Sequence, residues 1–180
     1  MKLHKDAEKI LISQEHLAEK VRQLGAAITA DYQGKRPILV CILKGSVVFM
    51  ADLMRAIDLE IDIDFMVVSS YGSGTKSGRF KIIKDLSVDI HSRDVIIIED
   101  ILDSGNTLSN LIKLLEYRGA NSIKLCALLN KPDRRTADVT LDYEGFSIPD
   151  EFVIGYGLDY DETYRNLPYV AVLKEEVYSK

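Results

Sequence analysis

The feature that most constrains the fold of this chain is an apolar run that ends abruptly in charged and small residues. Val95–Ile98 (VIII) is a continuous apolar stretch of strand length, typical of a strand that is covered on both faces. The adjacent carboxylates Glu99 and Asp100 follow it directly, and Asp103–Thr107 (DSGNT) then predicts a turn into a helix. The run therefore predicts one strand–turn–helix unit of an α/β domain.

The rest of the chain repeats this alternation of apolar runs and helical periodicity. Strands are predicted at 38–43, 61–69, 80–86, 95–98, 122–129, 152–154 and 170–173, and helices at 14–33, 47–57 and 106–118. Ser13 is expected to cap the first helix and Gly34 to end it. We expect one domain, residues 1–180, with a mainly parallel sheet flanked by helices and ligands beyond the carboxyl ends of the strands.

Composition and charge narrow the function classes. The net charge is −5 and no cluster of Lys and Arg stands out, which argues against nucleic acid as a partner. No apolar run approaches the roughly 20 residues that cross a bilayer, so no membrane role is expected. The charged start MKLHKDAEKI argues against export and for a cytoplasmic protein. Cys41 and Cys126 lie in apolar runs and predict buried free thiols, with a disulfide as the less favoured alternative.

The turn after Asp100 combines two kinds of ligand-binding group. Carboxylate oxygens suit magnesium and sugar hydroxyls. Gly105 permits an unusual backbone conformation, and successive amides at a helix start, with the Ser104 and Thr107 hydroxyls, suit a phosphate. A ribose 5-phosphate fits this spacing. One alternative stays open at this point: Ser104 or Asp103 merely caps the helix, and Glu99-Asp100 are solvated loop charges.

The run VIIIEDILDSGNT resembles the 5-phosphoribosyl-1-pyrophosphate binding motif of the type I phosphoribosyltransferases. Other segments narrow the resemblance to the hypoxanthine-guanine phosphoribosyltransferases, in their short bacterial form. These segments are Leu43-Lys44-Gly45-Ser46, Ser69-Ser70-Tyr71-Gly72, Leu129-Asn130-Lys131-Pro132 and the run Glu151–Val170 (EFVIGYGLDYDETYRNLPYV). Together they cover about residues 38–173, in the order found in the family.

The resemblance implies an enzyme of purine salvage. Such enzymes transfer the 5-phosphoribosyl group from 5-phosphoribosyl-1-pyrophosphate to N9 of hypoxanthine or guanine, which gives IMP or GMP and pyrophosphate, with Mg²⁺ as cofactor. The fold implied is a parallel sheet with a small hood region and a flexible lid loop, here Ser70–Gly78 with the Ser70-Tyr71 pair. Homo-oligomers, dimers or tetramers, are also implied.

The resemblance also assigns roles to single residues. Asp103 is implied as the general base near purine N7, and Glu99 and Asp100 as the pair that contacts the ribose hydroxyls and magnesium. Lys131 is implied to donate to purine O6. The resemblance implies that Ser104, Gly105, Asn106 and Thr107 bind the 5-phosphate, and that Lys44-Gly45, with a cis peptide before the lysine, and Arg165 bind pyrophosphate. Phe152 is implied to stack on the purine, and the Val153 backbone to meet its Watson–Crick edge. Asp159 is implied to bind a second magnesium.

Three alternatives remain open from the sequence. Lys131 and Phe152 favour a 6-oxopurine, but they do not separate guanine from xanthine, and a transferase for xanthine or a pyrimidine is possible. A regulatory protein that kept the fold and binds RNA is disfavoured by the negative charge. A nucleotide-sensing module without turnover is disfavoured because Asp103 is present.

Overall fold

A six-stranded sheet forms the centre of the molecule in a computed structural model that describes residues 2–71 and 79–179. The order of the strands across this sheet is β4-β3-β2-β5-β6-β7, and only β4 runs antiparallel to its neighbour. The strands are β1 Ala7–Ile12, β2 Ile38–Ile42, β3 Asp62–Tyr71, β4 Arg79–Lys84, β5 Asp94–Leu102, β6 Ser122–Asn130, β7 Tyr143–Ser147, β8 Val153–Ile154 and β9 Val170–Leu173, and the helices are α1 Gln14–Asp31, α2 Val47–Ala56, α3 Asn106–Tyr117 and α4 Glu175–Tyr178. The predicted α/β class with a mainly parallel sheet is confirmed.

Helices cover both faces of this sheet, which explains why its central strands are apolar throughout. On one face, Leu39 and Cys41 of β2 pack with apolar residues of α1 and α2. On the other face, Ile38, Val40 and Ile42 of the same strand pack with apolar residues of α3. A strand with both faces buried has no polar side to alternate with its apolar one. Both cysteines are buried and free, as predicted.

A second sheet of three antiparallel strands, in the order β1-β9-β8, stands beside the main one. It corresponds to the hood that the family resemblance implied. Its strand β1 was not predicted, because AEKILI combines charged and apolar residues without strict alternation and is followed at once by the α1 cap at Ser13. Ala7, Ile154 and Tyr169 belong to a small core of their own here.

Several predicted boundaries were wrong by a few residues, and each error has a local cause. Helix α1 ends at Asp31, with Tyr32 as its C-cap, before Gly34 is reached. Strand β5 was expected to end at Ile98 but continues through Glu99 and Asp100 to Leu102, because β6 pairs with it along its whole length. Strand β7 was missed, since YEGFS carries a glycine and a glutamate.

The first two residues of the predicted lid loop Ser70–Gly78 belong to a strand. Ser70 and Tyr71 belong to β3, where they pair with Phe80 and Arg79 of β4. Residues 72–78 lie outside the described residues. None of the helices formed by residues 2–71 and 79–179 combines the length and apolar character that a membrane-spanning segment needs.

The topology fixes where a ligand site is expected. The direction of winding of the sheet reverses between β2 and β5, which are parallel neighbours but distant in the chain. Their pairing reaches Cys41 and Ile98, so Glu99 to Leu102 extend beyond the last paired residues of β2. Crevices of this kind, at the carboxyl ends of strands, are the usual ligand sites of open α/β sheets.

Candidate active site

A cleft of about 450 Å³ opens at this crevice between β2 and β5. Two cationic side chains, Lys44 and Arg165, line it together with three carboxylates, Glu99, Asp100 and Asp159. The other lining residues are Ile42, Leu43, Gly45, Val68, Ser69 and Thr107. The fold therefore gathers, from four separate segments of the chain, most of the residues that the sequence assigned to sugar, pyrophosphate and metal.

Close backbone packing shapes one wall of the cleft. A Cβ atom on Gly45 would lie 1.5 Å from Oδ2 of Asp100, and one on Gly157 would lie 2.0 Å from the carbonyl oxygen of Gly45. Gly157 also has a φ of +103°, where a side chain is strained. The Leu43-Lys44 peptide is cis, as the resemblance implied. These two glycines let the Lys44 loop lie directly between Asp100 and the segment that carries Arg165.

Glu99 and Asp100 are poorly compensated carboxylates. Burial, followed by repulsion from the neighbouring Asp100 carboxylate, raises the pKa of Glu99 well above its ordinary value. Burial also raises the pKa of Asp100 to about 6, although the backbone N–H groups near it and Arg165 act in the opposite direction. Within the described residues, Oε2 of Glu99 is buried and has no hydrogen-bond partner. A buried oxygen without a partner in this position suits a ligand that brings a hydroxyl group or a cation.

The donor set around this pair fits Mg²⁺ in chemistry. The carboxylate oxygens of Glu99, Asp100 and Asp159 are hard ligands, and the orphaned Oε2 of Glu99 offers an unused acceptor. Residues 2–71 and 79–179 contain no cluster of three acidic, His or Cys side chains that could hold a metal by itself. Magnesium is usually bound by one or two carboxylates together with substrate phosphates and water, so the residues fit a metal that arrives with its substrate.

The two cationic side chains of the cleft are joined by a residue that the sequence analysis did not single out, Glu162. Nζ of Lys44 donates to both carboxylate oxygens of Glu162 at 3.0 Å. A terminal nitrogen of Arg165 lies 3.3 Å from Oε2 of Glu162 and 2.9 Å from Oδ1 of Asp159. Arg165 also donates to the carbonyl oxygen of Gly157 at 2.8 Å. Glu162 lies in the quoted segment GYGLDYDETYR, but one acidic residue among several gives no sequence signal.

The predicted phosphate turn leads into α3 with the geometry an anion site requires. Gly105 is the N-cap of α3 with a φ of +81°, and no side chain caps the helix. Neither Ser104 nor Asp103 occupies the N-cap position, although the Ser104 hydroxyl lies 3.5 Å from the N–H of Asn106. The carbonyl oxygen of Ser104 accepts the N–H groups of Thr136 and Ala137, both at 3.0 Å. The first N–H groups of a helix have no intrahelical acceptors, so this turn can present them to an anion.

Asp103 lies half-exposed after the end of β5, outside the residues that line the cleft. Nε of Arg134 is 3.1 Å from Oδ1 of Asp103, and the Asp103 carbonyl oxygen accepts from Nε of Arg135 at 3.0 Å. Arg134 also donates to Asp150 at 3.3 Å. Neither arginine was assigned a role from the sequence. Together they fix the position of the Asp103 backbone and carboxylate relative to the segment that follows β6.

Lys131 is buried, with only 8% of its side chain exposed. Lys131 is therefore not a solvated loop charge. Its Nζ donates to the carbonyl oxygen of Glu151 at 2.8 Å and more weakly to Asp150 at 3.4 Å. An ammonium group has three donors, which leaves one for a further acceptor. The same contacts place Lys131 next to the residue that precedes Phe152.

Phe152 is 39% exposed and lies immediately before β8, so it is not the core residue that its apolar neighbours favour. Its ring stacks on Tyr178 of α4, with 5.0 Å between centroids and 21° between planes, and meets the edge of Tyr160 at 5.6 Å. Val153 is a buried residue of β8 that pairs with Val172. Val153 can therefore meet a ligand only through its backbone.

The structure thus separates the assigned residues into two neighbouring groups. The first, which we call the sugar-phosphate half, consists of Lys44, Gly45, Glu99, Asp100, Thr107, Asp159 and Arg165, all in one cleft. The second, which we call the base half, consists of Asp103, Lys131, Phe152 and Val153, and the contacts of Arg134 and Asp150 connect its first two members. Ser104, Gly105 and Asn106 form the turn beside the first group. Nothing is described of the Ser70 and Tyr71 side chains.

Comparison with known proteins agrees with this arrangement. A model of the phosphoribosyl transferase domain matches residues 8–161. The hypoxanthine-guanine phosphoribosyltransferase of Streptococcus thermophilus is 55% identical over 179 residues, which are 99% of each chain. A bifunctional TilS/HprT protein of Listeria innocua is also 55% identical, but this chain spans only 28% of its length. The crystal structure of a Staphylococcus aureus hypoxanthine phosphoribosyltransferase superposes with a TM-score of 0.95 at 52% identity, over 98% of this chain and 97% of that one.

The parallel sheet, the cleft at its switch point and the matching domain define a type I phosphoribosyltransferase. The chain belongs to the phosphoribosyltransferase family and, within it, to the hypoxanthine-guanine phosphoribosyltransferases, which it matches over almost its whole length.

Proposed function

We propose that this chain transfers the 5-phosphoribosyl group from 5-phosphoribosyl-1-pyrophosphate to N9 of hypoxanthine or guanine and releases pyrophosphate, so that the products are IMP and GMP. The observation that supports this most directly is the cleft in which Lys44 and Arg165 face the carboxylates Glu99 and Asp100. A sugar that carries a pyrophosphate needs cations for its phosphates and hydrogen-bond acceptors for its hydroxyl groups. The names of the relatives supply the choice of base.

In the sugar-phosphate half, the residues of this chain bind and orient the donor. Glu99 and Asp100 accept the ribose hydroxyls, which explains why a buried carboxylate oxygen is left without a partner in the chain itself. The Asp103–Thr107 turn, which includes Ser104, Gly105 and Asn106, binds the 5-phosphate through its amides and hydroxyls. Lys44 and Arg165 contact the pyrophosphate as negative charge grows on it in the transition state.

In the base half, the residues of this chain choose and activate the purine. The free donor of Lys131 binds O6, an acceptor that adenine lacks. Phe152 stacks on the ring and the Val153 backbone meets its Watson–Crick edge. As the bond from the ribose carbon C1 to the pyrophosphate oxygen breaks and the bond from C1 to N9 forms, Asp103 accepts the purine proton near N7.

We further propose that Mg²⁺ is the cofactor, with Glu99, Asp100 and Asp159 as the residues that would contact it or its waters. When bound, Mg²⁺ neutralises charge on the phosphate groups. Ser70 and Tyr71, at the end of β3, are proposed as the start of the lid that excludes water. We also propose that residues 1–180 act as one phosphoribosyltransferase domain, that the chain assembles as a dimer or tetramer, and that it works in the cytoplasm, where thiols such as the two buried cysteines stay reduced.

Turnover with individual bases tests this proposal. The purified chain is incubated with 5-phosphoribosyl-1-pyrophosphate, Mg²⁺ and one of hypoxanthine, guanine, xanthine, adenine or uracil, and both nucleotide and pyrophosphate are measured. We expect equal amounts of both products with hypoxanthine or guanine, and neither product when Mg²⁺ is replaced by a chelator. Turnover with xanthine or uracil, but not with hypoxanthine or guanine, would show that the proposed base specificity is wrong. No turnover with any base would contradict the proposed function itself.

A further inference from the structure

The Glu162 carboxylate lies between the two cationic side chains that the proposed function assigns to pyrophosphate. Both of its oxygens accept from Nζ of Lys44 at 3.0 Å, and one of them lies 3.3 Å from Arg165. Hydrogen bonds from Lys44 and then Arg165 lower the pKa of Glu162, so the group is an anion at neutral pH. One protein carboxylate thus contacts both cations at the site of a dianionic or more highly charged leaving group.

The backbone presents Glu162 to this position at a conformational cost. Asp161 and Glu162 have φ values of +50° and +60°, and Tyr160 and Thr163 on either side of them form a β-bridge. Two central residues with positive φ correspond to a tight hairpin turn that favours Asn, Asp and Gly. Glutamate rarely adopts this conformation, and such strain is often retained where it serves function. The Glu162 N–H donates to Oδ2 of Asp159 at 2.9 Å, which fixes the turn to the cleft wall.

Contacts other than Glu162 hold Arg165 and the backbone of the Lys44 loop in place. Arg165 is held by Oδ1 of Asp159 at 2.9 Å and by the carbonyl oxygen of Gly157 at 2.8 Å. Lys44 is carried by a loop whose next residue, Gly45, packs tightly against the neighbouring backbone. Glu162 and Lys44 are both mostly exposed, at 64% and 65% of their side chains. Glu162 therefore adds charge compensation to Arg165 without being its main support, and among the described residues it is the partner of the Lys44 ammonium group.

We propose that the Glu162 carboxylate takes, in the ligand-free site, the place of a pyrophosphate oxygen, and that the donor or product must displace it from Lys44 and Arg165. The inference rests on the proposed function, because it assumes that these two cations bind pyrophosphate. An exposed ion pair is weak, so a phosphate group can displace it. The competing carboxylate still lowers the apparent affinity of the site for pyrophosphate, because only the fraction of sites with released cations can bind it.

Removing the carboxylate tests the inference through a gain of affinity. The binding of inorganic pyrophosphate, in the presence of Mg²⁺, is measured by isothermal titration calorimetry for the wild-type chain, Glu162→Gln and Glu162→Ala. We expect both variants to bind pyrophosphate about 3- to 10-fold more tightly. Glu19→Gln is the matched control, because Glu19 also forms an exposed ion pair with an arginine, Arg22, but on helix α1 and outside the residues that line the cleft. Its pyrophosphate affinity should equal that of the wild type.

The opposite result would identify a different role. Unchanged or weaker binding by Glu162→Gln and Glu162→Ala, with thermal unfolding like that of the wild type, would show that Glu162 supports the cations and does not compete for them. The proposed function is judged separately by wild-type turnover with hypoxanthine or guanine. A wild-type chain that turns over these bases while the variants gain no affinity contradicts this inference alone. Tighter pyrophosphate binding by the variants supports it even if no base is turned over.

Discussion

In the sugar-phosphate half of the site, Glu99 and Asp100 carry raised pKa values and an acceptor oxygen without a partner. In the base half, Oδ1 of Asp103 is likewise buried without a hydrogen bond, but it lies 3.1 Å from Nε of Arg134, and Lys131 donates to Glu151 and Asp150. Strand β5 and the turn after it contribute to both halves, with Glu99 and Asp100 in one and Asp103 in the other, and both halves carry ionisable side chains. The difference is that, within the described residues, no cationic side chain forms an ion pair with Glu99 or Asp100, whereas Asp103 and Lys131 each form one with a residue of this chain.

The contrast is consistent with the ligands proposed for each half. A sugar phosphate that arrives with a metal ion brings the cation and the hydroxyl donors that the Glu99 and Asp100 carboxylates lack. Before the ligand binds, these two carboxylates can therefore be left without partners in the chain. A neutral purine brings no charge to balance Lys131 or Asp103, so these groups need partners within the chain before the base arrives. The cations of the first half do not follow this contrast, because Lys44 and Arg165 are paired with the carboxylates of Glu162 and Asp159.

The largest effect is expected at Asp103, the one residue proposed to do proton chemistry. We expect Asp103→Asn to lower kcat by about 10²- to 10⁴-fold while the KM for the phosphoribosyl donor changes by about twofold or less, because the proposed donor contacts of the Asp103–Thr107 turn are amides and hydroxyls, which this substitution leaves in place. Steady-state kinetics with hypoxanthine measures both values. Asp133→Asn, a neighbouring exposed carboxylate, is the control and should behave as the wild type. An unchanged kcat would remove Asp103 from the catalytic residues.

A smaller effect is expected at Glu99, where removal of the buried charge should make the folded protein more stable. Its folded pKa is raised, so its contribution to stability is fully present below the unfolded pKa of about 4.3 and is lost as pH rises through the folded pKa. We therefore expect Glu99→Gln to raise the free energy of unfolding by about 1–2 kcal/mol at pH 8 without magnesium. The difference in the free energy of unfolding between Glu99→Gln and the wild type should shrink towards pH 4.5. The variant should also be less active than the wild type.

Urea denaturation at pH 4.5 and pH 8, with a chelator present, measures this difference. Glu116→Gln removes the same charge from an exposed position of α3 and should leave stability nearly unchanged at both pH values. A Glu99→Gln variant that is less stable than the wild type at pH 8 would show that Glu99 makes a stabilising contact, and the contrast between the two halves would then be wrong.

Much of the fold could be predicted because the parallel strands are buried on both faces. Runs such as VIII at Val95–Ile98 can belong only to strands or buried helices, and their length decided between these. The errors came where pairing between distant segments overrode local pattern. Strand β1 forms because β9 lies beside it, and β5 continues through two carboxylates because β6 pairs with it to Asn130. No local feature of the sequence records either partner.

The candidate site was predictable where residues follow strands, and not where they act through contacts across the chain. Lys44, Glu99, Asp100 and Lys131 each follow or extend an apolar run. Arg134, Asp150, Glu162 and Tyr178 lie in polar segments without periodicity, and only the distances to their partners give them significance.

The smallest expected effect concerns Tyr178, which completes the base half from the end of the chain. Its ring stacks on Phe152 with centroids 5.0 Å apart, and aromatic pairs of this kind contribute about 0.5–1.5 kcal/mol. We expect Tyr178→Ala to raise the KM for hypoxanthine about two- to tenfold, with the donor KM unchanged, because Phe152 loses the ring that fixes its orientation. Tyr117→Ala is the control, since that side chain is 89% exposed. An equal rise in the KM for hypoxanthine and the KM for the donor would show that Tyr178 stabilises the whole site, so that the two halves are not independent. A rise in the KM for hypoxanthine alone would show that the base half can be perturbed without the sugar-phosphate half.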